Sequence, residues 1–120
     1  MKHPPKVWIV SPGRSHDYTE LDAFGDRRAM FDRSVNLYDL DGLAGQIQDA
    51  LGGTHENDYL VLAGNVVVSS LVLNGWLHMH GKARMLIWGA TQRGYFERVI
   101  SPGMFVPRVE TRPILQGVAL

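Results

Sequence analysis

The chain contains no cysteine, no excess of charge of either sign and no uninterrupted hydrophobic run of bilayer length. Without cysteine there are no disulfides, no thiol nucleophile and no thiolate-bound zinc, a composition that suits a reducing cytoplasm. Twelve basic and twelve acidic residues cancel, so the chain lacks the basic excess with which proteins grip a phosphate backbone, and duplex nucleic acid is disfavoured as a partner. A net charge near zero also removes a barrier to self-association, and a homo-oligomer is expected. The longest apolar segment, Val66 to Leu77, is interrupted by Ser69, Ser70, Asn74 and Gly75, too short and too polar to span a membrane. The first residues reach a strand-like run without a long apolar stretch, so no secretory leader is expected and the expected compartment is the cytoplasm. Dinucleotide fingerprint, P-loop, zinc-protease and nucleophile-elbow patterns are all missing, and no cofactor or metal is implied.

What remains describes one α/β domain. With 120 residues, 45% of them hydrophobic, the chain suffices for a single core. Lys6 to Val10 is a β-rich run stopped by Ser11-Pro12-Gly13. Asp17 and Glu20 have capping-box spacing, which predicts a short helix closed by Gly25. Arg27 to Asp32 reads as a second strand. Leu40, Leu43, Ala44, Ile47, Ala50 and Leu51 fall at helical spacing, with Asp39 or Asp41 as cap and Gly52-Gly53 as stop. Gly42 and Gly45 weaken that helix and suggest close packing against a neighbour. Tyr59 to Ala63 has the continuous apolar pattern of a strand buried on both faces. Gly64-Asn65 then opens a helix from Val66 to His80, expected to be deeply buried, with a strand as the alternative over its β-branched start. Ala83 to Trp88 and Tyr95 to Ile100 complete the pattern as a hairpin.

This order predicts a small flavodoxin/Rossmann-like three-layer domain over residues 1–100. Its sheet is mostly parallel, in the order 2-1-3-4 with an antiparallel edge strand. Residues 101–120 carry Pro102, Pro107 and Pro113 together with apolar residues. They read as an extended C-terminal arm lying on its own domain or on a neighbouring subunit.

In such a sheet ligands bind beyond the carboxyl ends of the strands, where the order reverses. The expected crevice lies between strands one and three, with Gly89-Ala90-Thr91 as a third wall. Its candidate residues are Ser11, Gly13, Arg14, Ser15 and His16 on the first loop and Gly64 and Asn65 on the second. Arginine grips phosphate bidentately, glycine lets a backbone approach, and helix starts favour anions. The same residues also suit an ordinary turn, with Asp17 and Asn65 as helix caps and Ser69 and Ser70 as small packing residues. Tyr18, Phe24 and Tyr38 are candidates for stacking on a base, whereas Trp8, Trp76 and Trp88 are assigned to core packing. His78 and His80 point to opposite sides of a helix and make no metal site.

The segments Lys6-Val-Trp-Ile-Val-Ser-Pro12, Asp58-Tyr-Leu-Val-Leu-Ala63 and Gly81-Lys-Ala-Arg-Met-Leu-Ile-Trp88 are similar to small nucleotide-handling Rossmann-like proteins, among them the nucleoside deoxyribosyltransferase group. That group's catalytic glutamate should fall near the helix after the third strand, and residues 66–80 contain no acidic residue. The chain also resembles small bacteriophage proteins, some of which sequester nucleotide signals of bacterial immunity. The resemblance implies non-catalytic binding of a phosphorylated or nucleotide-like small molecule in the host cytoplasm. The alternatives are a nucleoside- or nucleotide-processing enzyme, with His16 as general acid or base and Arg14 holding charge, and an oligomeric interaction subunit that docks through its tail.

Overall fold

The structure, a computed structural model, describes residues 3–13 and 16–105. Among these, five strands form one sheet: β1 (Lys6–Ile9), β2 (Asp26–Ala29), β3 (Tyr59–Val61), β4 (Ala83–Gly89) and β5 (Gly94–Ile100). The α-helices are α1 (Leu40–Leu51) and α2 (Val66–His80). The strands stand in the order β2-β1-β3-β4-β5, the first four parallel and β5 antiparallel to β4. The expected parallel order 2-1-3-4 is therefore completed by β5 as the second edge.

Right-handed crossovers decide which face each connection covers. The step from β1 to β2 runs one way across the sheet, and the steps from β2 to β3 and from β3 to β4 run the other way. Hence α1 and α2 share one face, where Leu43, Ile47 and Leu51 meet Val68, Val72 and Trp76 over Val10, Leu60 and Met85. The opposite face, with Val7, Ile9, Tyr59, Val61 and Leu86, is covered by the segment around Leu21. Each large aliphatic side chain so buried contributes roughly 1.5–3 kcal/mol.

The third layer is thinner than the sequence suggests. The helix expected from Asp17 to Gly25 is a single 3-10 turn over Thr19–Ala23, and Leu21 is its one buried residue. Leu21 and Phe24 are three apart, the repeat that eclipses in a 3-10 turn, and there is no further apolar position to reward a longer helix. Asp17 caps no helix; its Oδ1 accepts from the Thr19 amide at 2.9 Å and from the Thr19 hydroxyl at 2.8 Å. The second strand begins one residue early and is regular only to Ala29, although the Met30 and Phe31 amides still donate to the Ile9 and Val10 carbonyls. Its exposed Asp26, Arg27 and Arg28 form a charged edge of the kind that discourages strand addition.

Helix α1 has the expected bounds, and Asp39 rather than Asp41 caps it by accepting from the Gly42 amide. The close helix–helix approach is at neither Gly42 nor Gly45. It is at Gly75 of α2, where a Cβ would lie 2.7 Å from Leu51 Cδ1. Helix α2 also has its expected bounds, with Asn65 at its start and Gly81 in the left-handed region at its end (φ 79°), and the strand alternative is excluded. Contrary to expectation it is not buried all round: Val66 is 73% exposed and Val67 51%, because α1 and the sheet cover only one side of it.

At the amino end of the sheet, polar groups are closely matched. Asp58 is fully buried. One carboxylate oxygen accepts from the Lys6 amide, and the other accepts from Trp8 Nε1 and from the His55 amide, at 2.9–3.0 Å. Arg84 lies over the Tyr59 ring, 4.1 Å from its centroid. It donates to Glu97, to the Asn57 carbonyl and to the Tyr59 hydroxyl. Residues 106–120, which carry Pro107, Pro113 and most of the expected arm, lie outside the described residues. The arm's described beginning is a 3-10 turn at Pro102–Met104 followed by the exposed Phe105.

Candidate functional site

A cleft of about 590 Å³ opens at the carboxyl ends of the strands. It is displaced by one strand from the expected crevice between β1 and β3. The cause is a contact: at Gly64 (φ 93°) a Cβ would sit 2.7 Å from Ser11 Cβ and 2.9 Å from the Ser11 carbonyl oxygen. The two loops singled out in the sequence do meet there, but they close the gap between β1 and β3. The open space lies between β3 and the hairpin of β4 and β5, floored by Val61 and Leu86.

Four aromatic side chains border it, in two pairs. His16 and Tyr18, from the loop after β1, have ring centroids 4.9 Å apart and planes inclined at 40°. Trp88, at the end of β4, meets Tyr95 of β5 edge to face at 5.3 Å. The pairing follows from strand register, since Trp88 and Tyr95 are direct cross-strand partners and such partners project to the same face. Trp88 is 48% exposed, so its assignment to the core is corrected. Trp88 stands one residue before the end of β4, at the carboxyl edge of the sheet, and belongs to neither buried cluster.

A second hollow of about 320 Å³ adjoins the first and shares His16, Trp88 and Tyr95 with it, adding Asp17 and Glu20. The Thr19 amide and hydroxyl hold the Asp17 carboxyl below the usual carboxylate range. Partial burial, reinforced by Tyr18 and Glu20, raises the Tyr95 hydroxyl above the usual phenol value, so at neutral pH it keeps its proton and can both donate and accept.

Of the residues anticipated from sequence, His16 and Gly64 line the cleft. Ser11 packs behind Gly64, and Gly13 is exposed. Arg14 and Ser15 lie outside the described residues. Asn65 acts as a cap: its side-chain oxygen accepts from the Val67 and Val68 amides at 2.8 and 3.3 Å. Ser69 is buried, with its hydroxyl directed at the Ala63 carbonyl, and Ser70 bonds back to Val66 within the helix. Among the stacking candidates, Tyr18 lines the cleft, Phe24 packs edge to face on Tyr59, and Tyr38 is fully exposed elsewhere. The third expected wall, residues 89–91, is replaced by Trp88 and Tyr95. Their signal in the sequence was the hairpin itself, which places an indole and a phenol opposite each other at a carboxyl strand end.

The remaining histidines serve elsewhere. His3 and His55 stack at 4.9 Å. His80 packs against Trp76 and bonds Thr54 at 2.8 Å. The Thr54 hydroxyl already donates to the Leu51 carbonyl, so the imidazole Nε2 is the donor. Among the described residues no three metal-ligating side chains converge, and no helix is long and apolar enough to cross a membrane.

No curated protein and no solved structure matches this chain. A family model, that of the phage Pam3 gp32-like protein, matches residues 5–102, from just before β1 to just past β5. The whole described sheet and its cleft fall within that match, and the chain belongs to the phage Pam3 gp32-like family.

Proposed function

We propose that this phage protein binds a nucleotide-like small molecule in the cleft and sequesters it without turnover, acting as a sponge for a nucleotide signal of host defence. One observation carries the reading: the aromatic border of His16, Tyr18, Trp88 and Tyr95 at the carboxyl ends of β3 and β4. A planar base stacked on such rings gains about 1–3 kcal/mol per contact, and open parallel sheets place ligands at this end. A phosphate carried on the sugar of such a ligand would extend toward the loop after β1 that carries Ser11 and Gly13.

Native mass spectrometry of protein purified from phage-infected cells tests the reading, with denaturation and identification of whatever is released. The expected result is a stoichiometric adduct containing a nucleobase, lost in Trp88→Ala. Protein recovered empty throughout infection would contradict it. If the ligand carries phosphate, Arg14→Ala weakens binding by about 1–3 kcal/mol. Titration calorimetry of that variant measures the loss.

The position of His16, on the border of both hollows, supports a second reading as an enzyme acting on a nucleoside or nucleotide. Chromatography of the ligand after incubation separates the two. Conversion that His16→Ala abolishes favours the enzyme, and unchanged ligand favours sequestration.

A further inference from the structure

We propose that the ring held by Tyr18, Trp88 and Tyr95 carries a positive charge, which makes the site a cation-selecting aromatic cage. The inference rests on the reading of the cleft as a ring-binding site and goes beyond it by assigning the charge of what binds.

Two hollows adjoin at this wall, of about 590 and 320 Å³. They share His16, Trp88 and Tyr95, so a ligand lying on that wall faces both. The larger is bordered by aromatic and aliphatic groups, and the smaller brings in the carboxylates of Asp17 and Glu20. Among the described residues that border either hollow there is no lysine or arginine. Indole and phenol rings present a negative face and attract cations, the indole most strongly. Two carboxylates set beside such faces add potential of the same sign, and a concave, partly apolar wall focuses it. Asp17 stays ionised because Thr19 donates to it twice, and Tyr95 stays neutral, so it adds no charge of its own. A neutral ring would gain stacking only. A ring bearing positive charge gains stacking, cation–π attraction and the two carboxylates together. An anionic ring in the same place would meet both carboxylates.

The test compares two nucleosides of nearly the same shape. Adenosine is neutral, and 1-methyladenosine carries a positive charge on its ring at neutral pH. The full chain and the variant Asp17→Asn/Glu20→Gln are titrated with each by calorimetry. The asparagine can still accept from Thr19, which preserves the turn. Wild-type protein is expected to bind 1-methyladenosine roughly tenfold more tightly than adenosine, and the double variant to bring the two within about twofold. Equal binding, or a preference for adenosine, overturns the charge assignment and leaves the ring-binding reading standing. A preference that persists unchanged in the double variant supports the charge assignment but overturns the part given to the carboxylates, leaving the aromatic faces as its source. If neither nucleoside binds to protein shown to be folded by circular dichroism, the ring-binding reading falls, and the charge assignment falls with it.

Discussion

The two ends of the sheet use the same kinds of side chain in opposite ways. At the amino end an indole, a guanidinium and two carboxylates are matched to one another: Trp8 donates to Asp58, and Arg84 grips Glu97 and Tyr59. At the carboxyl end an indole, two phenols and two carboxylates border open space, with Asp17 held by its neighbour Thr19 rather than by a partner across the sheet. Burying a polar group stabilises a fold only when its partners are in place. The matched end is therefore the anchor, and the unmatched end is free to take its partners from outside.

The largest effect expected from that contrast is at Asp58. Asp58→Ala leaves the Lys6 amide, the Trp8 indole and the His55 amide without their acceptor and should destabilise the fold by about 3–5 kcal/mol in urea unfolding. A loss under about 1 kcal/mol would show that the amino end is not the anchor. Next comes the contact that closes β1 against β3. Gly64→Ala combines a left-handed backbone with a clash against Ser11, and a loss of roughly 1–3 kcal/mol is expected. Gly81→Ala has the same sign of φ and nothing within 4 Å, so it should lose less, about 1 kcal/mol. Equal losses would mean that the Ser11 contact is not a tight one.

At the open end, Trp88→Ala should change stability by less than about 1 kcal/mol while abolishing binding, the reverse of Asp58→Ala. The smallest effect is a pH dependence at His80. Burial lowers its pKa below the ordinary 6.5. As pH falls through about 6.5 the unfolded chain takes up the proton first, so stability declines until the lower folded value is passed. His80→Gln should flatten that part of the stability–pH curve, measured as the difference from wild type.

Much of the frame was legible in the sequence, for identifiable reasons. The apolar stripe from Leu40 to Leu51 and the stops at Gly52 and Gly81 carry strong local signals. The alternation of elements, with right-handed crossovers, orders the parallel strands. The short helix after β1 was misread because a capping-box spacing at Asp17 and Glu20 says nothing about how much apolar surface follows. Asp58 does not stand out in the sequence as a buried anchor, since two of its three partners lie on β1, some fifty residues away in sequence. The site was legible only as an end of the sheet. Ser11 and Gly64 fall on the two loops expected to wall a crevice, yet whether such loops enclose a space or fill it depends on packing that no spacing encodes. Trp88 reads as a core residue and Tyr95 only as the start of the last strand, and their availability comes from their place as cross-strand partners at the carboxyl end of the sheet. Trp76 shows the opposite case. It is fully buried and its indole nitrogen has no hydrogen-bond partner among the described residues, so tryptophan content alone does not reveal which indole faces the solvent.

The three tryptophans allow one spectrum to read both ends of the molecule. In a nitrogen-15-labelled sample each indole gives its own N–H signal, one held by Asp58, one buried between the helices and the sheet, and one at the cleft. Titration with adenosine monophosphate should shift and saturate the Trp88 signal while those of Trp8 and Trp76 stay in place. Movement of Trp8 or Trp76 with Trp88 unmoved would place binding elsewhere and contradict the division between a matched, anchoring end and an open, binding one.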